Sequence, residues 1–242
     1  MPEAARDPID EPLLAIQDLH AWYGESHVLH GIDITVPRGS VVTLLGRNGA
    51  GKSTTLKSIM GMVPQRRGSI RIQDTEIIDL PPYEIAPQGV AFCPEDRGIY
   101  ATLDVKENLE LPPRINRSGL STDQVLDLFP NLRERLHSPG SKLSGGEQQM
   151  LAIGRILRTG ANLLLLDEPT EGLAPSIVEQ IGSTIARLKQ QGYTILLVEQ
   201  NLKFAMSVAD YHYLIDHGRV VASYDRRTIQ HHANDVLERL GV

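Results

Sequence analysis

Gly46-Arg47-Asn48-Gly49-Ala50-Gly51-Lys52-Ser53-Thr54 fits the phosphate-binding pattern G-x-x-x-x-G-K-[ST], and what flanks it supplies the context that such a match requires. The apolar run Val41-Val42-Thr43-Leu44-Leu45 leads in as a strand, and Thr54 to Met60 has the composition of a helix, so the order is strand, glycine loop, helix. Gly46, Gly49 and Gly51 allow a tight turn and close backbone approach, so that successive N–H groups at a helix start face an anion. Lys52 then reaches the outer phosphates as a mobile charge, and the Ser53 hydroxyl is placed to ligate Mg²⁺.

Outward from this loop the chain alternates strands and helices. Residues Leu13 to Leu19 and Gly31 to Val36 alternate apolar and polar positions, as strands of a half-exposed sheet do, with Ala21-Trp22-Tyr23-Gly24 between them. Short strands are expected at Ser69 to Ile72 and Val90 to Cys93, with a helix after Pro82. Asp104 to Leu109 and Ser121 to Leu128 have helical spacing interrupted by Pro112-Pro113 and Pro130, which reads as a small helical insertion. Strand-helix alternation resumes with Asn162 to Asp167, a helix whose apolar face is Ile177, Ile181, Ile185 and Leu188, a strand at Thr194 to Glu199, and a hairpin around His217-Gly218. This is an α/β pattern with a largely parallel sheet and an antiparallel portion near the N-terminus. Residues 1 to 12 are polar and are expected to be mobile.

Composition narrows the function classes. The 242 residues suffice for one large α/β domain. No apolar run approaches the roughly 18 residues of a membrane-spanning helix, and the acidic start carries no secretory signal. The single cysteine, Cys93, excludes an internal disulfide and suits a reducing cytoplasm. A net charge of -6 argues against a nucleic-acid-wrapping surface, and the eight histidines lack metal-ligand spacing.

Two further stretches complete the chemistry. Leu163-Leu164-Leu165-Leu166-Asp167-Glu168 is an apolar strand ending in two acids, where Asp167 meets the need for a Mg²⁺ ligand and Glu168 that for a group that orients or deprotonates water. Leu143-Ser144-Gly145-Gly146-Glu147-Gln148-Gln149 places a serine and two glycines at an expected helix start, an anion-ready arrangement.

With these three motifs in this order, over about residues 13 to 240, the chain closely resembles the ATP-binding-cassette (ABC) ATPases. The resemblance implies a P-loop NTPase cassette with a RecA-like mixed-sheet core, an N-terminal antiparallel portion and a helical subdomain at approximately 98 to 160. It implies ATP and Mg²⁺ as cofactors, held by Gly46 to Thr54 including Arg47, Asn48 and Ala50. The signature Ser144, Gly145, Gly146 and Glu147 of one subunit completes the ATP site of another. Tyr23 falls where the family stacks an aromatic on adenine, and Glu168 at the catalytic carboxylate. Glu95, also a candidate metal-site residue, stands where a glutamine usually links the nucleotide to the membrane subunits, with about 95 to 115 as the docking surface. Gln200 replaces a common histidine and is expected to sense the γ-phosphate without carrying a proton. Ala174 replaces a common aspartate.

Pro94-Glu95, Glu147-Gln148-Gln149, Glu171-Gly172-Leu173-Ala174-Pro175 and Leu197-Val198-Glu199-Gln200-Asn201 look like the ATPase subunits of bacterial branched-chain amino-acid importers, with urea-importer ATPases as close relatives and an exporter ATPase as the alternative. The implied partners are a second ATPase subunit, favoured as a paralogue, two transmembrane permease subunits and, through them, a periplasmic solute-binding protein. The implied location is the cytoplasmic face of the bacterial inner membrane. A DNA-repair or chromosome-organising head is disfavoured because no sustained heptads lie between Lys52 and Ser144. A translation-associated protein of this family normally carries two cassettes, and no Asn-Lys-x-Asp guanine-reading sequence is present.

Overall fold

The computed structural model describes residues 12–241, so the expected mobile start falls outside the described residues except for Pro12, which opens the first strand. The chain begins with a long hairpin, β1 (Pro12–Tyr23) and β2 (Ser26–Pro37), followed by β3 (Val41–Leu45) and α1 (Lys52–Ile59). Next come β4 (Gln65–Ile72), β5 (Thr75–Glu76), α2 (Pro82–Ile85) and β6 (Val90–Cys93). Three short helices, α3 (Val105–Glu110), α4 (Thr122–Leu128) and α5 (Pro130–Glu134), precede the longer α6 (Gly145–Thr159). The chain then alternates β7 (Leu163–Asp167), α7 (Pro175–Gln190), β8 (Thr194–Glu199) and α8 (Leu202–Val208). It closes with β9 (Tyr211–Asp216), β10 (Arg219–Asp225), α9 (Thr228–His231) and α10 (Ala233–Leu240).

Two sheets result. The larger has the order β10-β9-β3-β8-β7-β6, parallel from β9 to β6 with β10 antiparallel at one edge. The smaller is the antiparallel sheet β2-β1-β4-β5. Alternation along the buried strands divides the leucine run between two cores. Leu164 and Leu166 of β7, with Ile195 and Leu197 of β8, pack under α6 and α7. Leu163, Leu165, Leu196 and Val198 face α1 and the antiparallel sheet.

The first hairpin departs from the expectation at Ala21 to Gly24. Asp18 adopts a positive φ of 47° at an irregularity in the β1 register, and the strand then resumes through Tyr23 instead of ending near Leu19. A bulge of this kind interrupts the period-2 pattern and hides the continuation from a sequence reading. Pro130, expected to break a helix, opens α5, where its missing N–H costs nothing. The helical segment packs on α6 through Leu109, Val125, Phe129 and Leu132. Gly154 permits this approach: a Cβ there would stand 2.7 Å from Val125 Cγ1 and 3.0 Å from Leu109 Cδ2. No helix among the described residues is long and apolar enough to cross a membrane.

Candidate functional site

The C-terminal ends of β3, β7 and β8 are adjacent in the sheet, so the loops that follow them meet above its edge. This is where ligands bind in open α/β sheets. The glycine loop leaves β3 at Gly46, where a Cβ would collide with the Ile215 carbonyl oxygen, and enters α1 through Gly51 at φ 107°. The turn between β9 and β10 holds the loop from outside. Gly218 donates its N–H to the Ala50 carbonyl at 2.9 Å and accepts from His30 N–H at 2.8 Å.

Within this frame, charged groups interlock. Lys52, 4% exposed, donates from Nζ to the carbonyl oxygens of Gly46 at 2.9 Å and Arg47 at 3.2 Å, and pairs with Glu168 Oε1 at 3.2 Å. Ser53 Oγ donates to Asp167 Oδ1 at 2.9 Å. Gln200 Nε2 donates both to Asn48 Oδ1 at 2.6 Å and to Glu168 Oε2 at 2.8 Å. One amide thus ties the glycine loop to the strand-end carboxylate. Glu168 occupies the left-handed region at φ 46°, which is uncommon for a side chain of its kind and marks a position fixed by its surroundings.

The electrostatics show a crowd of carboxylates. Burial pushes Asp167 up to about 6, with the charges of Glu168 and Glu95 adding to the rise against the Ser53 hydrogen bond. Burial likewise raises Glu171, helped by Glu168 and Glu95. Glu199, buried behind the site, is pushed up to about 7, again first by burial. A cationic ligand would relieve this crowding.

An open cleft of about 380 Å³ lies over the loop, lined by Tyr23, Val28, Asn48, Gly49, Gly51 to Thr54, Glu95, Glu168 and Glu171. The structure therefore gathers most of the expected residues in one place, and Tyr23 reaches it because β1 continues past its bulge. Gly46, Arg47, Ala50, Asp167 and Gln200 border it through the contacts above. Ser144, Gly145, Gly146 and Glu147 do not line it. They start α6, where Ser144 and Glu147 form a capping box: Glu147 N–H donates to Ser144 Oγ at 3.3 Å, and Ser144 N–H to Glu147 Oε2 at 2.7 Å. Burial would raise the Glu147 carboxyl, but these bonds and Arg135 hold it below the usual glutamate range. The box uses the N–H groups of Ser144 and Glu147 and leaves those of Gly145 and Gly146 outside it.

Several participants escaped the sequence reading. Glu171 lines the cleft, and Thr170 and Glu199 pair behind it through a 2.8 Å hydrogen bond. Arg97, at φ 64°, donates to Gln148 Oε1 at 3.2 Å and so joins the Glu95 loop to α6. The acid-rich segment Glu95-Asp96 beside Arg97 was a visible signal. The pairing of Glu199 with Thr170 depends on strand register and had none.

Comparison with known proteins agrees with this geometry. The family model described as ABC transporter matches residues 29–171. The high-affinity branched-chain amino acid transport ATP-binding protein BraG of Pseudomonas aeruginosa is 42% identical over 212 residues, covering 86% of this chain and 91% of that protein. The lipopolysaccharide export system ATP-binding protein LptB of Escherichia coli is 34% identical over 215 residues, covering 86% and 89%. A solved ATP-binding subunit of an ABC transporter superposes with a TM-score of 0.79 at 30% identity, covering 95% of this chain and all of that one.

Proposed function

Since this chain belongs to the ABC-transporter ATPase family and is an ATP-hydrolysing transporter subunit, we propose that it energises a bacterial importer of branched-chain amino acids. The observation that carries the site assignment is the continuous set of contacts Asn48–Gln200–Glu168–Lys52 beside Ser53–Asp167. It joins a phosphate-binding loop, a carboxylate and a polar sensor in one arrangement.

In this reading the backbone N–H groups of the glycine loop and Lys52 hold the β- and γ-phosphates, and the exposed face of Tyr23 stacks on adenine. A phosphate oxygen arriving at Lys52 Nζ competes with Glu168 Oε1, so nucleotide binding frees a carboxylate oxygen that can take a proton from attacking water. Gln200 then positions that carboxylate with one N–H to Oε2, and the N–H it gives to Asn48 Oδ1 is the one that turns to the γ-phosphate. The hydroxyl of Ser53 and the carboxylate of Asp167 are hard oxygen donors set side by side and surrounded by excess negative charge, which suits Mg²⁺. When bound, that ion would neutralise charge on the transferring phosphoryl group. Glu95, near Asp167, contributes to the same field.

Ser144 to Glu147 stand apart from the cleft, which supports completion of the ATP site by the signature of a second ATPase subunit, for which a paralogue is our reading. The loop at Glu95 to Tyr100 is anchored to α6 by Arg97 and by Arg155, whose Nη1 donates to the Gly98 carbonyl at 2.6 Å. That anchoring suits a surface pressed by two transmembrane permease subunits at the cytoplasmic side of an inner membrane, with a periplasmic solute-binding protein acting through them. BraG, whose name gives branched-chain amino acid transport, supports the first reading; LptB names an export system and supplies the second.

Purification of the native complex from membranes distinguishes these. Import predicts that two permeases and a solute-binding protein accompany the chain, and that the binding protein takes up leucine, isoleucine or valine. Recovery with lipopolysaccharide-export components, or with a binding protein that takes urea, would overturn the assignment.

A further inference from the structure

Glu199 ends β8 with its side chain almost wholly enclosed, at 2% exposure. A carboxyl so placed is costly to bury unless its oxygens are used. Both are: Oε1 accepts from Thr170 Oγ1 at 2.8 Å, and Oε2 accepts from Asn201 N–H at 3.4 Å. Thr170 lies two residues after Glu168, and Asn201 follows Gln200. The side chain of Asn201 caps α8 by accepting from Phe204 N–H at 3.0 Å. The carboxyl therefore connects, from below, the two short segments whose upper side chains meet in the Gln200–Glu168 hydrogen bond.

One main-chain bond also joins those two segments. Glu168 N–H donates to the Val198 carbonyl at 3.0 Å, which is the last ladder contact between β7 and β8. There Glu168 turns into a left-handed conformation, and the β7–β8 register ends at the Asp167–Val198 pair. We infer that Glu199 is a positioning residue for ATP hydrolysis, holding the Thr170 and Asn201 segments together so that Gln200 meets Glu168 in the reactive geometry. The inference rests on the roles proposed above for Glu168 and Gln200.

The burial that raises Glu199 to about 7 makes this link sensitive near neutrality. Around it are Leu45 across the β3 register, Thr170 after β7, Asn201 before α8, and Glu168, the charged neighbour that acts on it. The ionised form accepts at both oxygens. Protonation converts one oxygen to a donor and loosens a segment, so turnover should fall as pH drops through about 7.

The test compares wild type, Thr170→Val, Glu199→Leu and Glu199→Gln, with Glu168→Gln as control, in the purified transporter. The readouts are ATP affinity and saturated turnover from pH 6 to 8.5, with thermal melting to confirm folding. Thr170→Val and Glu199→Leu should lower turnover by about tenfold or more, the scale of misplacing a catalytic group, with ATP affinity within about twofold. Glu199→Gln, which like the protonated carboxyl offers one acceptor and one donor, should show the low-pH turnover of wild type at every pH and lose the inflection near 7. If Glu199→Leu does not fold, Thr170→Val and the Glu199→Gln profile decide. Normal turnover in Thr170→Val, or an unchanged inflection in Glu199→Gln, overturns the inference while Glu168→Gln remains impaired. A Glu168→Gln control of wild-type activity would instead overturn the reading of the site itself.

Discussion

At Asp167, function and stability pull in opposite directions. Its carboxyl is raised from an ordinary 3.8 to about 6 by burial and by neighbouring acids. Between those values the folded chain holds a proton that the unfolded chain releases, so the stability from this group is present at low pH and is lost as pH rises through about 6. Glu199 behaves the same way up to about 7. His212 acts in reverse: buried, with Nδ1 against Thr43 Oγ1 at 2.7 Å, it is held down to about 4, and its contribution is lost as pH falls from 6.5. Asp167→Asn keeps an acceptor for Ser53 and carries no charge to bury. In nucleotide-free protein it should therefore raise unfolding free energy at pH 8 by about 1–3 kcal/mol, with a clearly smaller gain at pH 5. Urea denaturation at both pH values checks this, and an equal gain at both would show that the carboxylate crowding is not the cause. At this scale the sequence was informative where chemistry is contiguous. Gly46 to Thr54 and Asp167-Glu168 are read directly because neighbours in the chain are neighbours in the site. Thr170 with Glu199, and Glu171 with Glu95, meet only because β6, β7 and β8 lie side by side, which no local pattern states.

Among the elements, the β9–β10 turn does more than reverse the chain. Its His217-Gly218 pair was legible as a hairpin, but its contact with the glycine loop was not, since that contact spans most of the sequence. Gly218 sits at φ 70°, and a Cβ there would meet the Val28 carbonyl oxygen and stand 2.9 Å from the His30 ring. Gly218→Ala combines an unfavourable backbone region with a clash against main chain, and should cost about 2 kcal/mol or more. Because Gly218 N–H holds Ala50, the same substitution should weaken ATP binding. Chemical denaturation and nucleotide titration measure the two effects. Stability within 0.5 kcal/mol of wild type, the ordinary range for a surface change, would mean that the turn does not brace the loop. The first hairpin teaches the complementary lesson. Tyr23 was assigned by resemblance, yet the strand that delivers it was expected to end near Leu19, because the Asp18 bulge breaks the alternation that signals a strand.

Considered as one molecule, the chain keeps its motifs in two places. The sheet separates two apolar cores, its C-terminal edge gathers Lys52, Asp167, Glu168 and Gln200, and the helical segment carries Ser144 to Glu147 away from that edge. The alternating strand-helix order made this architecture legible, as the shared composition of buried β3, β7 and β8 made the parallel sheet legible. The central claim is that Glu168 performs chemistry while Lys52 and the glycine loop perform binding. Its most direct test is single-turnover ATP hydrolysis by Glu168→Gln in the assembled transporter, alongside nucleotide affinity. The substitution removes the competitor for Lys52 Nζ but retains an acceptor for Gln200, so affinity should be undiminished or tighter while hydrolysis slows by about 10² or more. Hydrolysis at the wild-type rate, or slowed only in proportion to weakened binding, would contradict the account.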